Sequence, residues 1–193
     1  DSRGRRLHLE GRLVGLDLAD RLPLRHAVAL ALPTVDDVLR RPEQRQQPGK
    51  IRIVGGDKAS LEPGKNYAIN NHITRYGQVT HAFNGGIYCQ GVGNIVAHNR
   101  IHDAPFSAIQ YYGNDHLIEY NEIHDVCRES GDAGALHTGR DWTWRGNVIR
   151  YNYWHHLQGP GLHGVMGVYL DDWASGFTVY GNLFYRAGRA TLV

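Results

Sequence analysis

Two stretches hold most of the side chains that could do chemistry. One is Glu129-Ser130-Gly131-Asp132-Ala133-Gly134-Ala135-Leu136-His137-Thr138-Gly139-Arg140-Asp141-Trp142; the other is Gly164-Val165-Met166-Gly167-Val168-Tyr169-Leu170-Asp171-Asp172-Trp173. Both mix aspartates with aromatic rings. Rings beside carboxylates suit a carbohydrate, whose C–H faces pack on aromatics while its hydroxyls take hydrogen bonds, a mixed lining common in ligand clefts. Two carboxylates also meet the demands of glycosidic-bond hydrolysis. One donates a proton and the other acts as base or nucleophile, about 5–5.5 Å away in retaining enzymes and about 6.5–9.5 Å in inverting ones. A like-charged neighbour is one way to raise the pKa of the acid. Asp132, Asp171 and Asp172 are the catalytic candidates, with Asp141 as rival to Asp132.

The chain must bring these stretches side by side, and a repeat says how. Five segments align: Tyr67-Ala68-Ile69-Asn70-Asn71-His72-Ile73, Ile95-Val96-Ala97-His98-Asn99-Arg100-Ile101, Leu117-Ile118-Glu119-Tyr120-Asn121-Glu122-Ile123, Val148-Ile149-Arg150-Tyr151-Asn152-Tyr153-Trp154 and Thr178-Val179-Tyr180-Gly181-Asn182-Leu183-Phe184. Each is a β-rich run, then Asn, any residue and a large apolar residue. Gly93-Asn94, Gly113-Asn114 and Gly146-Asn147 read as turns announcing three of them. A second strand falls between successive Asn residues: Gly86–Gln90, Ala108–Tyr112, Ala135–Thr138 and Gly167–Asp171. This pattern predicts an all-β fold, a right-handed parallel β-helix of about five coils over residues 51–193. Coils stack at about 4.8 Å, a recurring turn Asn forms an amide ladder, and no coil can bury its apolar face alone. An antiparallel sandwich would explain the strands but not the recurrent Asn.

Stacking Leu136 on Val168 sets His137 beside Tyr169, and Gly139 and Arg140 beside Asp171 and Asp172. Gln110 and Tyr88 fall in the His137 column, and Trp142, Trp144 and Trp173 at the sheet edge. His137, Arg140, Asp141, Trp142, Tyr169, Gln110, Tyr88 and Trp173 are therefore the expected substrate contacts. Strand alternation sends Asp171 and Asp172 to opposite faces, so one of them faces the cleft. Strict register leaves Asp132 several residues upstream. It reaches the cleft only if the Ser130–Gly134 loop folds over the sheet, which Gly131 and Gly134 permit. His102-Asp103, His124-Asp125 and His155-His156 recur at equivalent positions; repetition with the scaffold reads as a structural ladder or solvated edge, and no tight ligand spacing marks a metal site. No metal and no cofactor are expected.

Composition splits the chain. All 19 aromatic residues lie after Asn66, whereas residues 1–50 have no Asn and carry ten Leu and nine Arg. Residues 1–50 hold ten basic against seven acidic side chains (+3), and residues 51–193 eleven against twelve (−1). Without a clustered basic face, nucleic-acid binding is not expected. The apolar run Ala27–Leu32 is far short of the roughly 20 residues a spanning helix needs, so no membrane partner is expected either. Residues 1–50 read as an irregular or partly helical arm, either a cap on the open end of the coil or, the preferred reading, a poorly ordered segment foreign to the fold, with a short helix over 34–41 capped by Thr34. Cys89 and Cys127 read as core thiols.

The Asn-turn repeats resemble the right-handed β-helix, or pectin-lyase-like, superfamily across residues 51–193. Gly131-Asp132-Ala133-Gly134-Ala135, Thr138-Gly139-Arg140-Asp141-Trp142 and Gly167-Val168-Tyr169-Leu170-Asp171-Asp172 with Ser175-Gly176 resemble bacterial β-helical glycoside hydrolases of the α-L-fucosidase and xylanase type, which act on plant cell-wall glycans. The resemblance implies a catalytic pair of Asp132 with Asp171 or Asp172, a polysaccharide or oligosaccharide substrate, a monomer, and a secreted or periplasmic location. It also implies a longer parent protein with more coils at both ends. A polysaccharide lyase on the same scaffold and a non-catalytic carbohydrate-binding solenoid are the alternatives. The only three Lys, Lys50, Lys58 and Lys65, lie upstream of the acids, and Arg140 is the one basic residue among them.

Overall fold

A computed structural model of the chain describes residues 50–193. The helix expected over 34–41 and the arm-or-cap reading of residues 1–50 fall, save for Lys50, outside the described residues. The chain runs through β1 (Ile51–Asp57), β2 (Glu62–Pro63), β3 (Tyr67–Ile69), β4 (His72–Thr74), β5 (Ile87–Val92), β6 (Ile95–Ala97), β7 (Arg100–His102), β8 (Ile109–Asn114) and β9 (Leu117–Glu119). It continues through β10 (Glu122–His124), β11 (Ala133–Gly139), β12 (Val148–Arg150), β13 (Tyr153–Leu157), β14 (Val165–Asp171), β15 (Thr178–Tyr180), β16 (Leu183–Ala187) and β17 (Ala190–Leu192). Among the described residues no helix is long and apolar enough to cross a membrane.

Three sheets share the strands in rotation. The longest has the order β17-β14-β11-β8-β5-β1-β2; the others are β16-β13-β10-β7-β4 and β15-β12-β9-β6-β3. Every pairing is parallel except the short β1–β2 hairpin, so the chain coils through one strand of each sheet per turn and makes about five coils, a parallel β-helix. Stacking puts like on like inside. Ile73, Ile101, Ile123, Trp154 and Phe184 form one inward column. Ala68, Val96, Ile118, Ile149 and Val179 form another, and Ile87, Ile109, Leu136 and Val168 a third. Burying a side chain of this size is worth about 1.5–3 kcal/mol.

Asn71, Asn99, Asn121, Asn152 and Asn182 form the expected ladder. Each side-chain oxygen from Asn99 onward accepts both the backbone N–H and the amide of the Asn one coil earlier, at 2.8–3.0 Å. The residue before each of these Asn is left-handed: Asn70, His98, Tyr120, Tyr151 and Gly181 have φ of 52° to 65°. That conformation is unfavourable for a bulky residue and persists only where its surroundings over-determine it; here the ladder does so.

A second ladder departs from the expected turns. Asn66 is bonded to Asn94, but the next rung is His116, whose Nδ1 accepts the Asn94 N–H at 3.1 Å. The His116 N–H in turn bonds the Asn147 side chain at 2.9 Å. Gly113-Asn114 is not equivalent to the other Gly-Asn turns; Gly113 pairs with Gly91 and Asn114 with Val92, two residues early. The true equivalent is Asp115-His116, because imidazole Nδ1 replaces the amide oxygen as acceptor. Cys89 and Cys127 are free and buried, and burial pushes both thiols up to about 12, where they are inert.

Candidate functional site

The site lies where β11 and β14 run side by side in the longest sheet. Leu136 pairs with Val168, His137 with Tyr169 and Gly139 with Asp171, and the Arg140 N–H bonds the Asp172 carbonyl at 2.7 Å. Gln110 and Tyr88 extend the His137 column into β8 and β5. The expected register is therefore the observed one.

Asp132 precedes β11, yet its carboxylate accepts a hydrogen bond from the Tyr169 hydroxyl at 3.1 Å. The chain bends at its glycines to achieve this. A Cβ on Gly134 would strike Tyr169 Cβ and the Leu136 carbonyl, and one on Gly131 would strike the Pro160 carbonyl. Asp132 itself takes φ 53°. Asp171 faces the same phenol. The Tyr169 hydroxyl is pushed up to about 12 by burial, then by its hydrogen bond to Asp132, with the nearby Asp171 charge adding to it. The imidazole of His137 stacks on the Tyr169 ring at 4.8 Å and its Nε2 lies 3.3 Å from Asp171 Oδ2. Asp171 Oδ1 accepts the Asp172 N–H at 2.9 Å.

Asp172 goes the other way. β14 ends at Asp171, and the exposed Asp172 side chain lies 3.6 Å from Arg140 Nε. Of the two adjacent acids, Asp171 is the one on the Tyr169 side of the strand, where its charge acts on the phenol that Asp132 bonds. Asp141 is committed elsewhere as well. Its oxygens take Thr143 and the Lys58 ammonium, at 3.0 Å for the latter, and these bonds hold its carboxyl down at about 2. Lys58, which follows β1, also sits 6.0 Å over the Trp144 ring. Nothing in the sequence signals Lys58, because its partner is three strands away in the sheet.

Beside the acids, Arg140, Asp141, Trp142, Trp173 and Ser175 line an open groove of about 680 Å³. Trp142 is 70% and Trp173 78% exposed, an unusual state for the largest aromatic side chain. Both Trp173 and Arg140 are left-handed, which turns these loops outward. Of the expected contacts, Arg140, Asp141, Trp142 and Trp173 line the groove, whereas His137, Tyr169, Gln110 and Tyr88 do not, and neither do Asp132 and Asp171. Gln110 is buried against Gly85, and the Tyr88 hydroxyl is spent on Phe83 and Gly85, so the 83–85 loop covers that end of the column.

Parallel coils and Asn ladders define a β-helical solenoid. A family model described as right handed beta helix region matches residues 50–192, and the chain belongs to that family. No curated protein and no solved structure matches the chain. The family includes both glycosidases and lyases, and its scaffold is the one that polysaccharide-acting enzymes share. Activity must therefore be argued from the site.

Proposed function

We propose that the protein hydrolyses glycosidic bonds in complex polysaccharides, with Asp132 and Asp171 as its carboxylate pair. The supporting observation is that Asp132 accepts the Tyr169 hydroxyl while the Asp171 charge lies near enough to act on the same phenol. In this reading Asp132, exposed and bonded to the phenol, donates the proton to the departing glycosidic oxygen as the C–O bond breaks. Asp171, oriented by the Asp172 N–H and by His137, attacks the anomeric carbon or activates water against it. Tyr169 keeps its proton at working pH and so remains a donor to Asp132. Sugar rings pack on Trp142 and Trp173. Hydrolysis predicts release of reducing sugar from plant or microbial polysaccharides with no rise in ultraviolet absorbance. Unsaturated, ultraviolet-absorbing products would instead support the lyase, and binding without turnover the non-catalytic solenoid.

A further inference from the structure

The second sheet carries a column of imidazoles on a different face of the coil from the acidic groove. His72, His102, His124 and His155 stack with ring centroids 4.9, 4.5 and 4.6 Å apart. As a repeated feature this is the structural ladder that the sequence suggests. Two of its rungs have a chemistry that stacking does not use.

His124 Nδ1 lies 2.8 Å from Asp125 Oδ2. A carboxylate at that distance accepts a hydrogen bond from Nδ1–H, and in that neutral tautomer Nε2 carries the lone pair. Nε2 is buried and has no hydrogen-bond partner among the described residues. It faces two more potential donors of electron pairs, His155 Nε2 and the Glu122 carboxylate, themselves 3.3 Å apart. All three ligand atoms lie within 4.8 Å of one another. The edge of a tetrahedron with metal–ligand bonds of about 2.05 Å is ~3.3 Å, so the His155–Glu122 edge already has its length, and binding requires the His124 and His155 rings, stacked 12° from parallel, to turn out of the stack until both in-plane lone pairs meet at the ion. The outer contacts are in place too. Asp125 holds His124, His156 Nδ1 lies 2.7 Å from His155 Nδ1, and Arg100 Nε lies 3.3 Å from the far oxygen of Glu122. A carboxylate behind a ligating histidine is the usual support of a metal site.

We propose that Glu122, His124 and His155 bind one divalent transition-metal ion of the zinc class, with the two imidazoles and one carboxylate on one side and solvent on the other. Two His and one carboxylate with open positions is a ligand set such ions take. The site is independent of the glycosidase reading, since it lies on β10 and β13 rather than β11 and β14.

The test is calorimetric titration of Zn²⁺ into chelator-treated full-length protein, repeated with Co²⁺ while following its visible absorption. The expected result is one ion per chain, with a Co²⁺ band of four- or five-coordinate intensity. E122Q and H155Q should each weaken binding at least about tenfold, and D125N, which touches no metal, about 10–100-fold. H72Q, two rungs away, should bind as the parent does. Circular dichroism shows that each variant is folded. No uptake by the parent protein, or unchanged affinity in folded E122Q and H155Q, would overturn the proposal.

Discussion

Replacing Asn121 with Ala should destabilise the fold by about 4–6 kcal/mol, roughly three times the effect of the same change at Asn71, although both hold the same place in the repeat. Asn121 sits mid-ladder and is 1% exposed. Its side-chain oxygen accepts the Asn99 backbone N–H and the Asn99 amide, both at 2.9 Å, and its amide donates to Val96, Glu119 and Asn152. In N121A the Asn99 N–H is left without that acceptor in a site 2% exposed. A buried orphan costs about 1–3 kcal/mol, and each further lost bond about 1 kcal/mol net. Asn152 Oδ1 keeps the Asn121 N–H and Glu119 O keeps the His98 N–H, which limits the total. At Asn71 the amide donates to Ile69 and Asn99, and the Asn99 oxygen retains the Asn71 N–H. No buried donor is orphaned there and two bonds are lost, so N71A should cost about 1–2 kcal/mol. Urea unfolding followed by far-ultraviolet circular dichroism gives both values from the midpoints. An N121A loss within about 1 kcal/mol of the N71A loss would refute the ladder as the device that fixes the coils.

Burial lowers the His116 pKa, so the folded state resists its protonation. Its contribution is whole above the ordinary imidazole value of about 6.5 and shrinks as pH falls from there towards the folded value. H116N, with an amide in the ladder position, should lose stability less steeply over that range than the parent, as urea midpoints at about pH 7.5 and about pH 5.5 will measure. Y169F keeps the ring on His137 but removes the hydroxyl that donates to Asp132; kcat should fall about 10–100-fold with KM little changed. W142A and W173A should each raise KM about tenfold, the worth of one aromatic contact of about 1–1.5 kcal/mol, and leave kcat nearly intact.

The coil was legible because its cause is local and repeated. An Asn, a free position and a large apolar residue recur wherever the chain turns, and the pairing of Leu136 with Val168 follows from aligning them. The candidate site was legible as far as that register reaches: His137 beside Tyr169, and Arg140 beside Asp172. What escaped depends on contacts with no sequence period. His116 does the work of an Asn through a different atom. Gln110 is covered by a loop from the preceding coil, and Asp141 is claimed by a lysine three strands away. Asp132 was the intermediate case. Glycines allowed the fold-over, but only packing of Gly134 against Tyr169 decides it.

The central claim is that Asp132 and Asp171, rather than Asp172, act on the substrate. The most direct measurement is kcat for reducing-sugar release by D132N, D171N and D172N, each shown to be folded. The account predicts losses of about 10²–10⁴-fold in the first two and less than about tenfold in D172N, whose side chain faces Arg140 at the surface. Full activity in D132N or D171N, or a D172N loss as large as theirs, would contradict it.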